Sequence, residues 1–210
     1  MSQIKNPFLR HMVMWIITLP FVASLLMPAV IATEYFRIPA SEQETLRVLG
    51  QSPQAITERA NASFTAMFID TGVYATVEKL FRSKGHGIGG KGQSNIAKTS
   101  NRYLEGLWSL IYRAIWRFMG LWPVLSVLML AIALPALIDG VVARECKLDQ
   151  FKPHNPVIFW GSAHLAIFTM GAFLFLPLLP FPISLGVLYG SVGLVAMALW
   201  TTTANLQTGT

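Results

Sequence analysis

The chain has 210 residues, of which 53% are hydrophobic and only 12% charged, with a mean hydropathy of +0.52. A soluble domain carries about a quarter of its residues as Asp, Glu, Lys or Arg, so this composition excludes an ordinary soluble fold and points to a polytopic membrane protein. The net charge of +6 would suggest nucleic acid in a soluble chain. Beside apolar spans it serves orientation and anionic headgroups instead, and without a reading motif direct nucleic-acid binding is not expected. A single cysteine, Cys146, excludes an internal disulfide and a Cys-based metal cluster.

In chain order, Lys5 and Arg10 precede an apolar run from Met12 to Ala32. The basic flank favours a cytoplasmic N-terminus, and the length of the run favours a retained anchor over a cleaved signal ending at Val30-Ile31-Ala32. Pro20 and Pro28 predict a kink or an early end. Residues 1–32 thus form an N-terminal tail and first transmembrane helix.

Residues 33–101 read as an extramembrane helical segment. Pro39 and a Ser41-x-x-Glu44 capping box open a short helix that Gly50 and Pro53 stop. A second helix starts near Gln54, with Ile56, Ala60, Phe64, Met67, Phe68, Ala75, Leu80 and Phe81 at close to helical spacing. Its apolar face must cover the membrane surface, another span or a partner. The stretch from Ser83 to Ser94 is a basic, glycine-rich linker. It satisfies Gly85-x-Gly87-x-x-Gly90, but Gly92 stands where a phosphate loop needs a hydroxyl and no strand precedes it, so nucleotide binding is not expected.

Residues 102–210 hold an interfacial helix and three more spans. Leu104, Leu107, Trp108, Ile111, Ile115 and Trp116 surround Arg102, Arg113 and Arg117. This pattern predicts indoles and snorkelling arginines at headgroup depth, with Trp108, Arg113, Trp116, Arg117 and Trp122 as membrane-interface residues. The apolar stretch from Phe118 is long enough to cross a bilayer and runs into Asp139, Gly140 and Arg144. A third span covers Pro156 to Leu176; Pro177, Pro180 and Pro182 force a reversal, and a fourth runs from Ile183 to about Thr203. The expected fold class is therefore all-α, with four transmembrane helices plus amphipathic extramembrane helices. Four spans put both termini on one side, and Lys5, Arg10, Arg144, Lys147 and Lys152 select the cytoplasm, against Arg102, Arg113 and Arg117.

Ionisable groups within spans are costly and therefore functional suspects. Asp139 and His164 come close to qualifying, as a possible interhelical pair between the second and third spans. His11, His86, His154 and His164 form no metal-ligand set, and neither a cofactor site nor a nucleophile with a base is evident, so catalysis is not expected. Gly186-x-x-x-Gly190, near Gly193, allows close helix packing, within the bundle or between copies.

The run from Ala133 through Pro135, Asp139, Gly140, Arg144 and Glu145, with its aromatic and basic lead-in and the proline reversal opening at Leu176-Pro177, resembles a family of integral-membrane proteins of conjugative plasmids and integrating conjugative elements. The resemblance covers roughly Leu104 to Asn205 and is most specific in the Asp-Gly-x-x-x-Arg-Glu exit. It implies a non-enzymatic inner-membrane component of a type IV secretion apparatus, a scaffold or docking partner of the coupling-protein ATPase. Asp139, Gly140, Arg144 and Glu145 would form a docking site at the membrane boundary. A small transporter or channel subunit is the competing expectation, motivated by proline-broken spans and the possible Asp139 and His164 pair.

Overall fold

The computed structural model describes residues 8–82, 91–150 and 155–206, and no strand occurs among them. Most of the glycine-rich linker, with His86, lies outside the described residues, as do Lys5, Lys152 and His154. The helices are α1 (Phe8–Val13), α2 (Leu19–Val30), α3 (Ala40–Val48), α4 (Pro53–Phe64), α5 (Val73–Phe81), α6 (Lys91–Leu128), α7 (Leu134–Asp149), α8 (Pro156–Phe175) and α9 (Leu185–Ala204). The last four residues of the expected linker thus already belong to α6.

Four helical runs are long and apolar enough to cross a membrane: Leu9–Val30, Ala97–Asp149, Pro156–Leu178 and Leu185–Ala204. The second has 53 residues, more than twice the ~20 that one crossing needs, so part of it lies outside the hydrocarbon layer. Two of the runs contain π-helical turns, Met14–Thr18 and Met129–Ala133, each closing two residues before a proline, Pro20 and Pro135. A proline lacks the N–H of the helical ladder and collides with the carbonyl four residues earlier. That carbonyl belongs to Ile16 or Ala131, inside the widened turn, so the helix passes the proline without ending.

Helix ends follow local chemistry. Ser52, Asn155 and Ser184 cap α4, α8 and α9 by accepting hydrogen bonds from Ala55 N, from Val157 N and Ile158 N, and from Val187 N. The capping box expected at Ser41 and Glu44 does not form. Ala40 is already helical, which leaves Pro39 at the cap and puts Ser41 inside the first turn, while Glu44 pairs with Arg47 at 3.1 Å on the surface. The single helix expected from Gln54 to Phe81 is two, α4 and α5, separated at Gly72, whose φ of 74° favours glycine.

The chain divides into two compact units. The first comprises residues 1–20, 123–176 and 183–210. In it α8 packs against α1 and its π-helical extension: His11 meets His164, Trp15 meets Phe168 edge-on with ring centroids 4.9 Å apart, and the Trp15 carbonyl lies 3.0 Å from where a Cβ on Gly171 would stand. The matched positions rise together along both helices, so the first and third crossing runs are parallel. The second and fourth are parallel too. Ala133 packs in one core cluster with Val195 and Ala196, Gly140 packs against Trp200 and Thr203, and Lys147 bonds Ala204. Four consecutive crossings that alternate in direction are consistent with these parallel directions.

The second unit comprises residues 21–122 and 177–182. Its core contains Phe36, Leu46, Ile56, Ala60, Leu104, Leu110, Trp116 and Leu121, all buried. Gly120 lets the α6 backbone approach Leu46 and Ile56, since a Cβ there would lie 2.9 Å from Leu46 Cδ1. Phe64, Phe68, Tyr74 and Trp108 form an aromatic cluster, and the Trp108 indole donates to Glu78 at 3.2 Å. Glu78 also holds Arg82; its hydrogen bond and charge raise that guanidinium above its ordinary pKa.

Candidate functional site

The exit of the second crossing run is split between a bound face and a free one. Gly140, Arg144 and Lys147 recur at helical spacing along α7, and Gly140 and Arg144 are buried. A Cβ at residue 140 would collide with Thr203 Oγ1 and lie 2.7 Å from the Trp200 carbonyl, so glycine is needed for the α7 and α9 backbones to meet. Lys147 Nζ donates to the Ala204 carbonyl at 2.9 Å and to Asn205 Oδ1 at 3.3 Å. It thereby satisfies carbonyl oxygen at the C-terminus of α9, where a cation also meets the negative end of the helix dipole.

Asp139 and Glu145 are exposed. Asp139 accepts from the Trp200 indole at 2.6 Å, whereas Glu145 and, one turn further, Asp149 make no ion pair among the described residues. The four motif positions thus divide by face: Gly140 and Arg144 go inward, Asp139 and Glu145 outward.

Asp139 and His164 do not pair. Asp139 takes Trp200, and His164 Nδ1 lies 3.3 Å from His11 Nδ1. The parallel match of α1 with α8 supplies His164 with a partner of its own type, which sequence reasoning missed. A hydrogen bond between two ring nitrogens needs one to donate and the other to accept.

In the second unit, the side chains of Arg113, Arg117, Trp108 and Trp116 are buried within the protein; of the five expected interface residues only Trp122 is exposed, stacked on Phe118 with ring centroids 5.3 Å apart. Glu42 explains the burial of the two arginines. Fully buried, it accepts from Arg117 Nε at 2.6 Å and Nη2 at 2.9 Å, and from Arg113 Nη2 at 3.1 Å. One carboxylate therefore faces two guanidinium groups, and backbone carbonyls take further donors, while Arg113 Nε is buried without a hydrogen-bond partner among the described residues. Arg117 bonds those of Pro177 (3.3 Å), Leu179 and Phe181 (2.6 Å). Arg113 bonds those of Tyr35, Pro180 (3.2 Å) and Phe181 (3.3 Å). Prolines at 177, 180 and 182 deprive the reversal of amide donors and of regular secondary structure, which leaves its carbonyls for the arginines.

Trp116 Nε1 donates to Thr57 Oγ1 at 3.0 Å, so it too is satisfied within the protein. A readable signal existed: Arg113 and Arg117 fall in phase with buried Leu110 and Leu121, not on the exposed side of α6. Buried arginines require a carboxylate, but nothing local marks Glu42 as the one.

Gly190 and Gly193 face open space, and a Cβ at Gly186 would touch only Ser184 Oγ at 3.8 Å. These glycines make no close helix contact among the described residues, so of the two uses open from the sequence, close packing within the bundle is not formed there. Among the described residues no group of three or more His, Cys, Asp or Glu could hold a metal ion.

Four helical runs long and apolar enough to cross a membrane and an all-α architecture among the described residues define a polytopic helical membrane protein. The family model described as IncC plasmid conjugative DNA transfer protein DtrJ-like matches residues 29–207, and the chain belongs to this DtrJ-like family. The match bears out the resemblance to conjugative-transfer proteins and carries it through the region of Glu42, where the resemblance itself was weak. No curated protein and no solved structure matches the chain.

Proposed function

We propose that this DtrJ-like protein is a non-enzymatic inner-membrane component of the conjugative DNA-transfer apparatus, a scaffold that docks the coupling-protein ATPase or another secretion subunit. The observation that carries this reading is the α7 exit. One face is fixed to α9 through Gly140 and Lys147, while the other holds Glu145 and Asp149 exposed on a helix too well anchored to reorient. A preorganised charged face gives a partner specificity at little ordering cost.

Both termini and this exit lie in the cytoplasm in the proposed orientation. Arg113 and Arg117 opposed that assignment as free charges; held by Glu42, they weigh less as orienting signals. Deleting the gene and complementing it in trans tests the transfer role: mating frequency should fall on deletion and return with the parent chain. Unchanged mating frequency would exclude the role.

A small transporter or channel subunit is the second reading, supported by the His11 and His164 pair between two crossing helices. It requires that His164→Leu abolish transfer while leaving complex recovery intact. Normal transfer by that variant would remove the reading.

A further inference from the structure

We propose that His11 and His164 bind one divalent transition-metal ion of the zinc class through their Nδ1 atoms, between the first and third crossing runs. The two nitrogens stand 3.3 Å apart and the ring centroids 4.9 Å apart, with an interplanar angle of 60°. A well-formed N–H hydrogen bond has its heavy atoms ~2.7–3.2 Å apart, so this separation is long for a direct bond. It matches the edge of a tetrahedron instead: two nitrogens on one zinc ion at ~2.0–2.1 Å lie ~3.3–3.4 Å from each other.

Packing sets this separation. One turn further along both helices Trp15 meets Phe168 with ring centroids 4.9 Å apart, and the Trp15 carbonyl lies 3.0 Å from where a Cβ on Gly171 would stand. The two backbones are therefore fixed beside the histidines, which spares a bound ion much of the cost of ordering its ligands. Both imidazoles are half-buried, and Arg10, next to His11, is exposed. An exposed arginine at the edge of an apolar run marks the polar layer, where water can fill the two remaining positions on the ion.

Ligand chemistry selects the ion. Imidazole suits zinc, copper and nickel, whereas magnesium and calcium take oxygen ligands. Two neutral rings lose no proton overall on binding. In the hydrogen-bonded pair one ring carries its hydrogen on Nδ1; with the ion present that hydrogen sits on Nε2, and both Nδ1 lone pairs face the metal. Two protein ligands hold an ion less tightly than the four of a structural zinc site, so the ion acts as a removable staple between the helices. The site does not depend on docking at the α7 exit, and the two proposals fail separately.

The test uses the full chain, purified through a histidine-free tag, stripped with EDTA and titrated with zinc chloride. Equilibrium dialysis should show the parent binding one zinc ion per chain more than His11→Phe or His164→Phe; if either variant does not fold, His11→Gln or His164→Gln replaces it. A His86→Ala, His154→Ala double variant should keep that ion. Zinc at about ten times its dissociation constant should raise the unfolding midpoint of the parent and the double variant by about 3–5 °C, and of the His11 and His164 variants by less than ~1 °C. Magnesium should raise neither. Zinc binding and stabilisation retained by the His11 and His164 variants would overturn the proposal. So would a parent chain that binds no zinc at ~0.1 mM, since the two rings would then be a hydrogen-bonded pair only.

Discussion

Glu42 is the residue on which the second unit depends, because its carboxylate meets the guanidinium groups of both Arg113 and Arg117. Removing one partner of a buried ion pair leaves uncompensated charge, at a cost of ~3–5 kcal/mol. Glu42→Ala should therefore lower stability by about that amount in detergent-solubilised protein, read by thermal unfolding or protease resistance. Glu44→Ala, two residues away in a surface pair, should change it by less than ~0.5 kcal/mol. Equal effects of the two would refute the buried cluster. Sequence alone could not distinguish these glutamates. Both sit in the polar string Ser-Glu-Gln-Glu, and the arginines that bury Glu42 come from α6, more than seventy positions away in the chain. Conversely, two arginines among tryptophans on an apolar helix look the same whether they snorkel into headgroups or clamp an acid.

At the scale of elements, glycine positions discriminate between helix faces that have partners and faces that do not. Gly140→Ala drives a methyl into the Trp200 carbonyl and Thr203, and should loosen α7 from α9 by ~1–3 kcal/mol. Gly190→Ala and Gly193→Ala meet open space within this chain and should leave stability unchanged or raise it by ~0.5–1 kcal/mol. Thermal unfolding of the three variants side by side checks both statements. Loss of stability in Gly190→Ala comparable to that in Gly140→Ala would show that the open face is covered. The crossing runs were legible because hydropathy over about twenty residues leaves little choice, and the proline reversal because three prolines in six residues do not let an α-helix continue. The division of the exit motif between faces was not legible, since it depends on how α7 meets α9, and no local pattern records that contact. The π-helical turns ahead of Pro20 and Pro135 were likewise hidden: a disturbance was expected at Pro20, but not that a widened turn absorbs it there and at Pro135.

For the whole molecule, the first and third crossing runs point the same way, as do the second and fourth, which agrees with alternation across a bilayer. The absolute orientation remains a proposal, and Cys146 can test it because it is the sole cysteine and is exposed in the last turn of the second run. With the termini cytoplasmic, a membrane-impermeant maleimide should leave Cys146 unlabelled in intact spheroplasts and label it after lysis. Labelling before lysis would reverse the topology and take the α7 exit away from any cytoplasmic ATPase. The most direct measurement of the docking role is co-purification from native membranes of donor cells, using the tagged full chain as bait. The coupling-protein ATPase or another transfer subunit should come down with the parent chain and be lost with a Glu145→Lys, Asp149→Lys double variant that inserts normally. Recovery of the same complex from parent and variant, or of no transfer subunit with either, would contradict docking through this exit.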